Sequence, residues 1–262
     1  MSAARRAPTP QTRRRAGELL AALRARYPDA RCELDFSAPH ELLVATILSA
    51  QATDVGVNRA TPALFRAFPT PADYARAGCE AIQPYLRTIN FWRTKARAVH
   101  AAMERVATHH GGQVPRTMEE LLELRGVARK TANVVLGTAF GINEGVVVDT
   151  HVMRLSRRMG LTRQKTPERI EQDLMALFPR EHWALLSHLL ILHGRRVCKA
   201  RGGSCAEDAI CRRFCSEGAS RAAAAPRVKA PSKRSTSPSR REPRGASPRP
   251  APTPRRPSRP SG

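Results

Sequence analysis

Helix-start signals recur along this chain and limit what it can fold into. Ser37-Ala38-Pro39, Thr70-Pro71-Ala72-Asp73, Thr117-Met118-Glu119-Glu120 and Thr166-Pro167-Glu168 each place a hydroxyl residue just ahead of a proline or an acid. Such a hydroxyl accepts from an unpaired first-turn N–H, and proline costs nothing where no intrahelical donor is needed. Asp54 and Asp149 are positioned to cap two further helices. Between these signals apolar residues recur at helical spacing, as Leu19, Leu20, Leu23 and Tyr27 do, and no alternating run of strand length occurs. The expected fold is all-α. Helices are predicted over 12–27, from Ser37 through HELLVATILSA, over 55–67, from Thr70, and over 82–89, 93–108 and 129–140. A short one follows Thr117, and others run from Asp149 to Met159, from Thr166 to Phe178 and over 183–193. Gly111-Gly112 breaks the pattern, and Val146-Val147-Val148 is an extended apolar run.

Charge narrows the function class. The 45 Lys and Arg outnumber the 22 Asp and Glu, a net +23, which favours polyanions and nucleic acid first. Residues 218–262 hold twelve of the cations and one of the acids, so the preceding part is itself strongly basic. That segment has ten prolines and no aromatic residue; a disordered basic tail is expected over 217–262, and a disordered basic arm over 1–11. No run of 18 apolar residues predicts a membrane span, and the start lacks the apolar stretch of a secretory signal. Its Arg-rich, acid-poor character is read as the arm rather than as a transit peptide. The expected setting is a bacterial cytoplasm or nucleoid.

The run Leu124-Arg125-Gly126-Val127-Ala128-Arg129-Lys130-Thr131 reads as a helix end, a tight glycine turn and a new helix start. Free backbone N–H groups at such a turn and at the following N-terminus form a phosphate grip. An amine, Lys130, sits beside it. Arginine supplies all but six of the 45 cations, so a lysine at this place stands out. A lysine amine can attack a sugar carbon and form a Schiff base; a guanidinium cannot deprotonate to do so. The first turn of a helix also disfavours the ammonium form through the positive end of the dipole.

The string LRGVARKTANVVLGTAFG with VVVDTH (124–151) resembles the helix–hairpin–helix DNA glycosylases. Together with LLVATILSAQATDVGVNRATPALF (42–65) and YLRTINFWRTKARAVH (85–100) it resembles endonuclease III, the bifunctional DNA glycosylase/AP lyase family, in order and spacing. The resemblance covers about residues 15–215. It implies that Lys130 is the nucleophile and Asp149 the catalytic carboxylate. It implies that Gly126, Ala128, Arg129 and Thr131 belong to the DNA-gripping hairpin, with His151 near Asp149. Gln51 matches the residue inserted into the vacated base stack. Phe91 matches a second wedge, with Trp92 turned inward and Asn90 free to adopt a left-handed backbone. The family has glycine at the position of Ala128, where the N–H is nevertheless kept, and is one residue shorter near Asn143-Glu144-Gly145.

Four of the six cysteines, Cys198, Cys205, Cys211 and Cys215, fall within 18 residues, a metal-site pattern in a chain without a secretory signal. They resemble the family's 4Fe–4S loop, whose usual spacing is C-x6-C-x2-C-x5-C; here it is C-x6-C-x5-C-x3-C. All four are expected to bind a cluster through a rearranged loop, with zinc or no metal as alternatives.

The implied architecture is two helical lobes with a DNA groove between them. A bundle over 33–143 ends in the hairpin, and 12–32 combines with 144–216 in a lobe carrying the cysteines. The implied activity is excision of oxidised pyrimidines from damaged double-stranded DNA by a monomer, followed by β-elimination. The alternatives are a monofunctional mismatch adenine glycosylase, which lacks the lysine, and a non-catalytic hairpin protein that only binds DNA.

Overall fold

The structure, a computed structural model, describes residues 7–216. The expected tail over 217–262 and most of the N-terminal arm lie outside the described residues. Eleven α-helices occur in order among them: α1 (Pro10–Arg26), α2 (Pro39–Ser49), α3 (Asp54–Ala67), α4 (Pro71–Leu86), α5 (Trp92–His109), α6 (Met118–Leu122), α7 (Arg129–Ala139), α8 (Thr150–Arg158), α9 (Pro167–Leu177), α10 (Trp183–Arg196) and α11 (Ala209–Phe214). A short 3-10 turn, Arg180–His182, precedes α10, and no strand occurs among the described residues. The all-α expectation holds.

The caps explain most boundaries and correct several. Thr70 and Asp73 form a reciprocal capping box at α4. The Thr117 hydroxyl accepts from the Glu120 N–H (3.3 Å) at α6. α1 begins at Pro10, with Thr9 accepting from Thr12 N–H, so residues 10 and 11 are helical rather than part of a disordered arm. Ser37 does not cap α2. Ala38 occupies that place, and the third helical residue, Glu41, reaches back to the Ser37 N–H (2.5 Å). Thr53, not Asp54, caps α3 through the Gly56 N–H (3.1 Å), which releases the Asp54 carboxylate for another partner. Thr166 sits at the N-cap of α9 without a side-chain bond. The two helices expected over 70–89 are one element broken at Gly78, whose φ is 77°.

Two apolar cores form. One is built by α2–α7, with Leu42, Leu43, Leu48, Tyr74, Leu86, Met103 and Leu136 fully buried. The other joins α1 to α8–α11 through Leu19, Leu23, Val152, Leu155, Leu174, Leu186 and Leu190. The extended run Val146–Val148 lies buried between α7 and α8 and leads the chain from the first core into the second. It has no periodic signature because it is covered on all sides. The Val147 N–H donates to the Ser187 hydroxyl (2.9 Å), which satisfies a backbone group there.

Candidate active site

The hairpin is assembled from two buried anchors and one glycine. Leu124 and Val127 point into the first core, while Arg125, Gly126, Ala128, Arg129 and Lys130 are exposed. Gly126 has φ +84°, and a Cβ there would lie 3.0 Å from the Ala98 Cβ and 3.5 Å from Ile47. Glycine is therefore required both by backbone and by space. Ala128 is different. It is the N-cap residue of α7 at φ −101°, ψ 170°, an extended conformation open to any residue. The family's glycine at this place is not demanded by geometry, and alanine keeps the N–H.

α7 then carries Lys130 as its second residue, exposed at the helix N-terminus, where the first N–H groups lack intrahelical partners. Across the cleft, Asp149 is the half-buried N-cap of α8, and its Oδ1 accepts from the Val152 N–H (2.8 Å). Capping fixes the direction of the carboxylate. Lys130, Thr131, Asp149 and Gln51 all line one cavity of about 210 Å³ between the two cores. This brings the expected nucleophile, carboxylate and insertion residue to a single place.

Two loops over this region carry backbone that L-residues seldom adopt. Gln51 (φ 54°) and Phe91 (φ 57°) are the positive-φ residues other than glycine among those described. These are the two residues matched to the family's wedges. Left-handed backbone at bulky residues persists where surroundings impose it, and such strain clusters at functional sites. Phe91 is 63% exposed, against the usual burial of phenylalanine, and Trp92 is half-buried under the Arg93 guanidinium (4.1 Å). The expectation that Asn90 takes the left-handed turn is wrong; Phe91 takes it. The Asn90 amide instead reaches the Gln51 carbonyl (3.5 Å), joining the two loops.

Arg129 and His151 are placed otherwise than a simple DNA contact suggests. The Arg129 Nε donates to Glu171 Oε2 (2.9 Å), on α9 of the other lobe, and Asn133 Nδ2 donates to Glu171 Oε1 (2.9 Å). The Arg129 guanidinium pKa is raised, first by that bond to Glu171. Gly145 makes room for the group: a Cβ there would fall 1.9 Å from Glu171 Oε1. The longer turn at 143–145 is thus a packed feature. His151 is absent from the cavity lining; it packs on Gly194 of α10, with Nδ1 3.2 Å from Arg154 Nη2. Burial lowers its pKa, and the nearby Asp149 opposes that shift.

Sequence reasoning missed the groups that tie the lobes together. Asn133 and Glu171 form one tie. Arg195 with Glu33 and Asp54 forms another, and these three also line the cavity. The signal available for Asn133 was a buried polar residue on the apolar face of a helix, three residues after Lys130. For Arg195 it was helical spacing from His188, Ile191 and Leu192, which face the same cavity.

The four clustered cysteines are all buried, Cys215 at 2% exposure and the others at 0%. The sulfurs of Cys198, Cys211 and Cys215 lie within 4.8 Å of one another, and Cys205 is buried beside them with Sγ 4.0 Å from the Val197 carbonyl. The Cys211 and Cys215 thiols donate to Cys198 and hold its sulfur well below the usual cysteine range, at about 4; Arg158 Nη1 adds a contact at 3.5 Å. Cys211 is pushed up in turn. His193, fully buried, places Nε2 3.3 Å from Cys211 Sγ and Nδ1 3.0 Å from the Tyr27 hydroxyl. Three converging buried thiols, with Cys198 lowered toward the thiolate, suit a soft metal centre. The rearranged spacing still gathers the cysteines because α11 carries Cys211 at its third residue and ends against Cys215.

The family model for HhH-GPD superfamily base excision DNA repair proteins matches residues 44–180. Endonuclease III of Synechocystis is 50% identical over 195 residues, which are 74% of this chain and 89% of the relative. Endonuclease III of Escherichia coli is 42% identical over 197 residues, 74% of this chain and 93% of the relative. Among solved structures, a trapped endonuclease III–DNA covalent intermediate matches with a TM-score of 0.75 at 38% identity, covering 80% of this chain and 98% of that one. A non-covalent endonuclease III–DNA complex matches equally, at 39% identity and the same coverage. On these matches the chain belongs to the endonuclease III family, within the HhH-GPD superfamily of base excision DNA repair proteins.

Proposed function

We propose that Lys130 and Asp149 are the catalytic pair of a base excision repair enzyme, a DNA glycosylase with associated AP lyase activity, acting as a monomer on damaged duplex DNA. One observation carries the assignment: the exposed amine behind the hairpin and the capped carboxylate of the opposite lobe line the same cavity. The hairpin and the N-terminus of α7 grip a backbone phosphate without reading sequence. Gln51 and Phe91, both exposed and on left-handed backbone, fill the gap left by the extruded nucleotide.

The neutral Lys130 amine attacks C1′ of the extruded nucleotide, and the C1′–N-glycosidic bond breaks with its electron pair leaving on the base, which takes up a proton. Asp149 stabilises the positive charge developing on the sugar and receives the proton shed by the amine. Ring opening leaves a Schiff base between Nζ and C1′. Loss of a C2′ proton then expels the 3′ phosphate, and hydrolysis of the imine returns the free amine. The substrates assigned are oxidised or ring-saturated pyrimidines and abasic sites.

Cys198, Cys205, Cys211 and Cys215 would hold a 4Fe–4S cluster, a fit supported by three converging buried thiols with the buried Cys205 as the fourth. When bound, the cluster fixes the loop that presents Lys199 and Arg201 to solvent. Iron and zinc analysis of anaerobically purified protein separates this assignment from a zinc site or a metal-free loop.

Borohydride trapping on an abasic duplex tests the lyase assignment. The wild type is expected to give a covalent adduct, and Lys130→Arg to give none while still binding the duplex. An adduct that persists in Lys130→Arg would refute the nucleophile. Duplexes with single defined lesions test the base preference.

A further inference from the structure

Arg195 is the penultimate residue of α10, in the second lobe, yet both of its ion-pair partners belong to the first. Nη2 lies 2.7 Å from Asp54 Oδ2, and Nη1 pairs with Glu33. Asp54 opens α3 three residues after Gln51. Glu33 is bound to the same helix from the other side: Asn58 of α3 donates to the Glu33 carbonyl (2.9 Å) and accepts from the Asp35 N–H (3.1 Å). The guanidinium therefore grasps one unit of the first lobe at two points. Its own base is equally fixed. The preceding Gly194 packs so closely on His151 that a Cβ would lie 3.0 Å from the His151 Cβ, which seats α10 on the helix capped by Asp149.

These contacts form a continuous connection from Asp149 through α8, Gly194 and Arg195 to Asp54 and the Gln51 loop. Charge supports a positioning purpose. Glu33 and Asp54 put two carboxylates on the wall of a cleft in a chain with a net +23, where phosphates are to be held. Neither carboxylate attracts phosphate, and together they draw the arginine away from it. What they do provide is a seat of two carboxylates, one at each terminal nitrogen, which sets a guanidinium in direction as well as distance. The loop so held is the one whose residue 51 keeps a left-handed backbone without being glycine.

We infer that Arg195 is a positioning residue, which fixes the Gln51 loop relative to Asp149 so that insertion into the base stack and presentation of the sugar occur in register. The inference rests on the assignment of Gln51 as the inserted residue. It concerns extrusion of the damaged nucleotide more than bond breaking, so it separates two rates. In Arg195→Met, single-turnover excision of an oxidised pyrimidine is expected to fall about tenfold or more, with cleavage at a preformed abasic site affected several times less. If Arg195 acts through Gln51, its effect shrinks to less than about twofold in a Gln51→Ala background, because coupled residues do not add. Multiplicative losses in the double variant, or equal losses in both assays, overturn the inference while leaving Gln51 as the wedge. No loss of excision in Gln51→Ala overturns the wedge and this inference with it. Asp54→Asn, which keeps the side-chain shape and removes one charge, serves where Arg195→Met melts early; it is expected to reproduce the same split between the two rates, and its absence refutes the role.

Discussion

The hairpin contains two small residues only two positions apart with opposite structural demands, and substituting each separates them. Gly126 sits at φ +84° with Ala98 Cβ 3.0 Å from where its own Cβ would be. Alanine there meets a left-handed penalty of about 1–2 kcal/mol. Crowding against Ala98 and Ile47, both carried by core-forming helices, adds about 1–3 kcal/mol. A stiffer unfolded chain returns roughly 0.4–1 kcal/mol. Gly126→Ala is thus expected to destabilise by about 2–4 kcal/mol, or roughly 5–15 °C for a folded unit of this size. Ala128→Gly restores the family's residue at an extended N-cap. Glycine improves an alanine cap and loosens the unfolded chain by similar amounts, so the net change is within about 0.5 kcal/mol. Urea titration of both variants, with the slope checked for constancy, measures the difference. A Gly126→Ala loss below about 1 kcal/mol, or an Ala128→Gly change above it, would show that the left-handed position in this hairpin is misplaced.

Three other perturbations follow from particular groups. Lys95 is 6% exposed in the first core, its Nζ has no partner among the described residues, and burial lowers its pKa. Its folded value lies below 10.5, so the penalty on the buried ammonium is relieved as pH rises through the folded value towards the unfolded one; Lys95→Met should gain about 1–3 kcal/mol at pH 7 and less at pH 10, and equal melts at pH 7 would refute this. Cys215→Ser should lower bound iron per chain while Cys79→Ser, outside the cluster, leaves it unchanged; retained iron in Cys215→Ser removes that ligand from the set. Deleting residues 218–262, with their twelve cations, should reduce the salt slope of DNA binding by about 0.9 for each phosphate the tail had neutralised, and an unaltered slope places the tail off the DNA.

Much of the protein was readable from local signals. Helix identity followed from periodicity and caps because both act within a turn or two of the residues concerned, and Asp149 as the cap of α8 is of that kind. Lys130 stood out because one residue type can form a Schiff base where the chain otherwise prefers arginine. Misreadings fell where two local solutions compete: Thr53 took the cap expected of Asp54, whose carboxylate pairs with Arg195, and at α2 Ala38 took the N-cap place while Glu41 bonds the Ser37 N–H. Likewise the left-handed turn went to Phe91, while the Asn90 amide lies 3.5 Å from the Gln51 carbonyl.

What crosses between the lobes was written nowhere in the local pattern. The pairing of Arg129 with Glu171, the space left by Gly145 and the seat of Arg195 between Glu33 and Asp54 join residues far apart in the chain, and no periodicity encodes such partners. The convergence of Cys198, Cys211 and Cys215 is of the same kind, since irregular spacing says nothing about direction until α11 turns the thiols inward. Residue order was enough for the helices, the hairpin and the chemistry available at Lys130. Packing settled which charges neutralise one another across the cleft, and so where that chemistry is held, because long-range electrostatic partners exist only once both cores have formed.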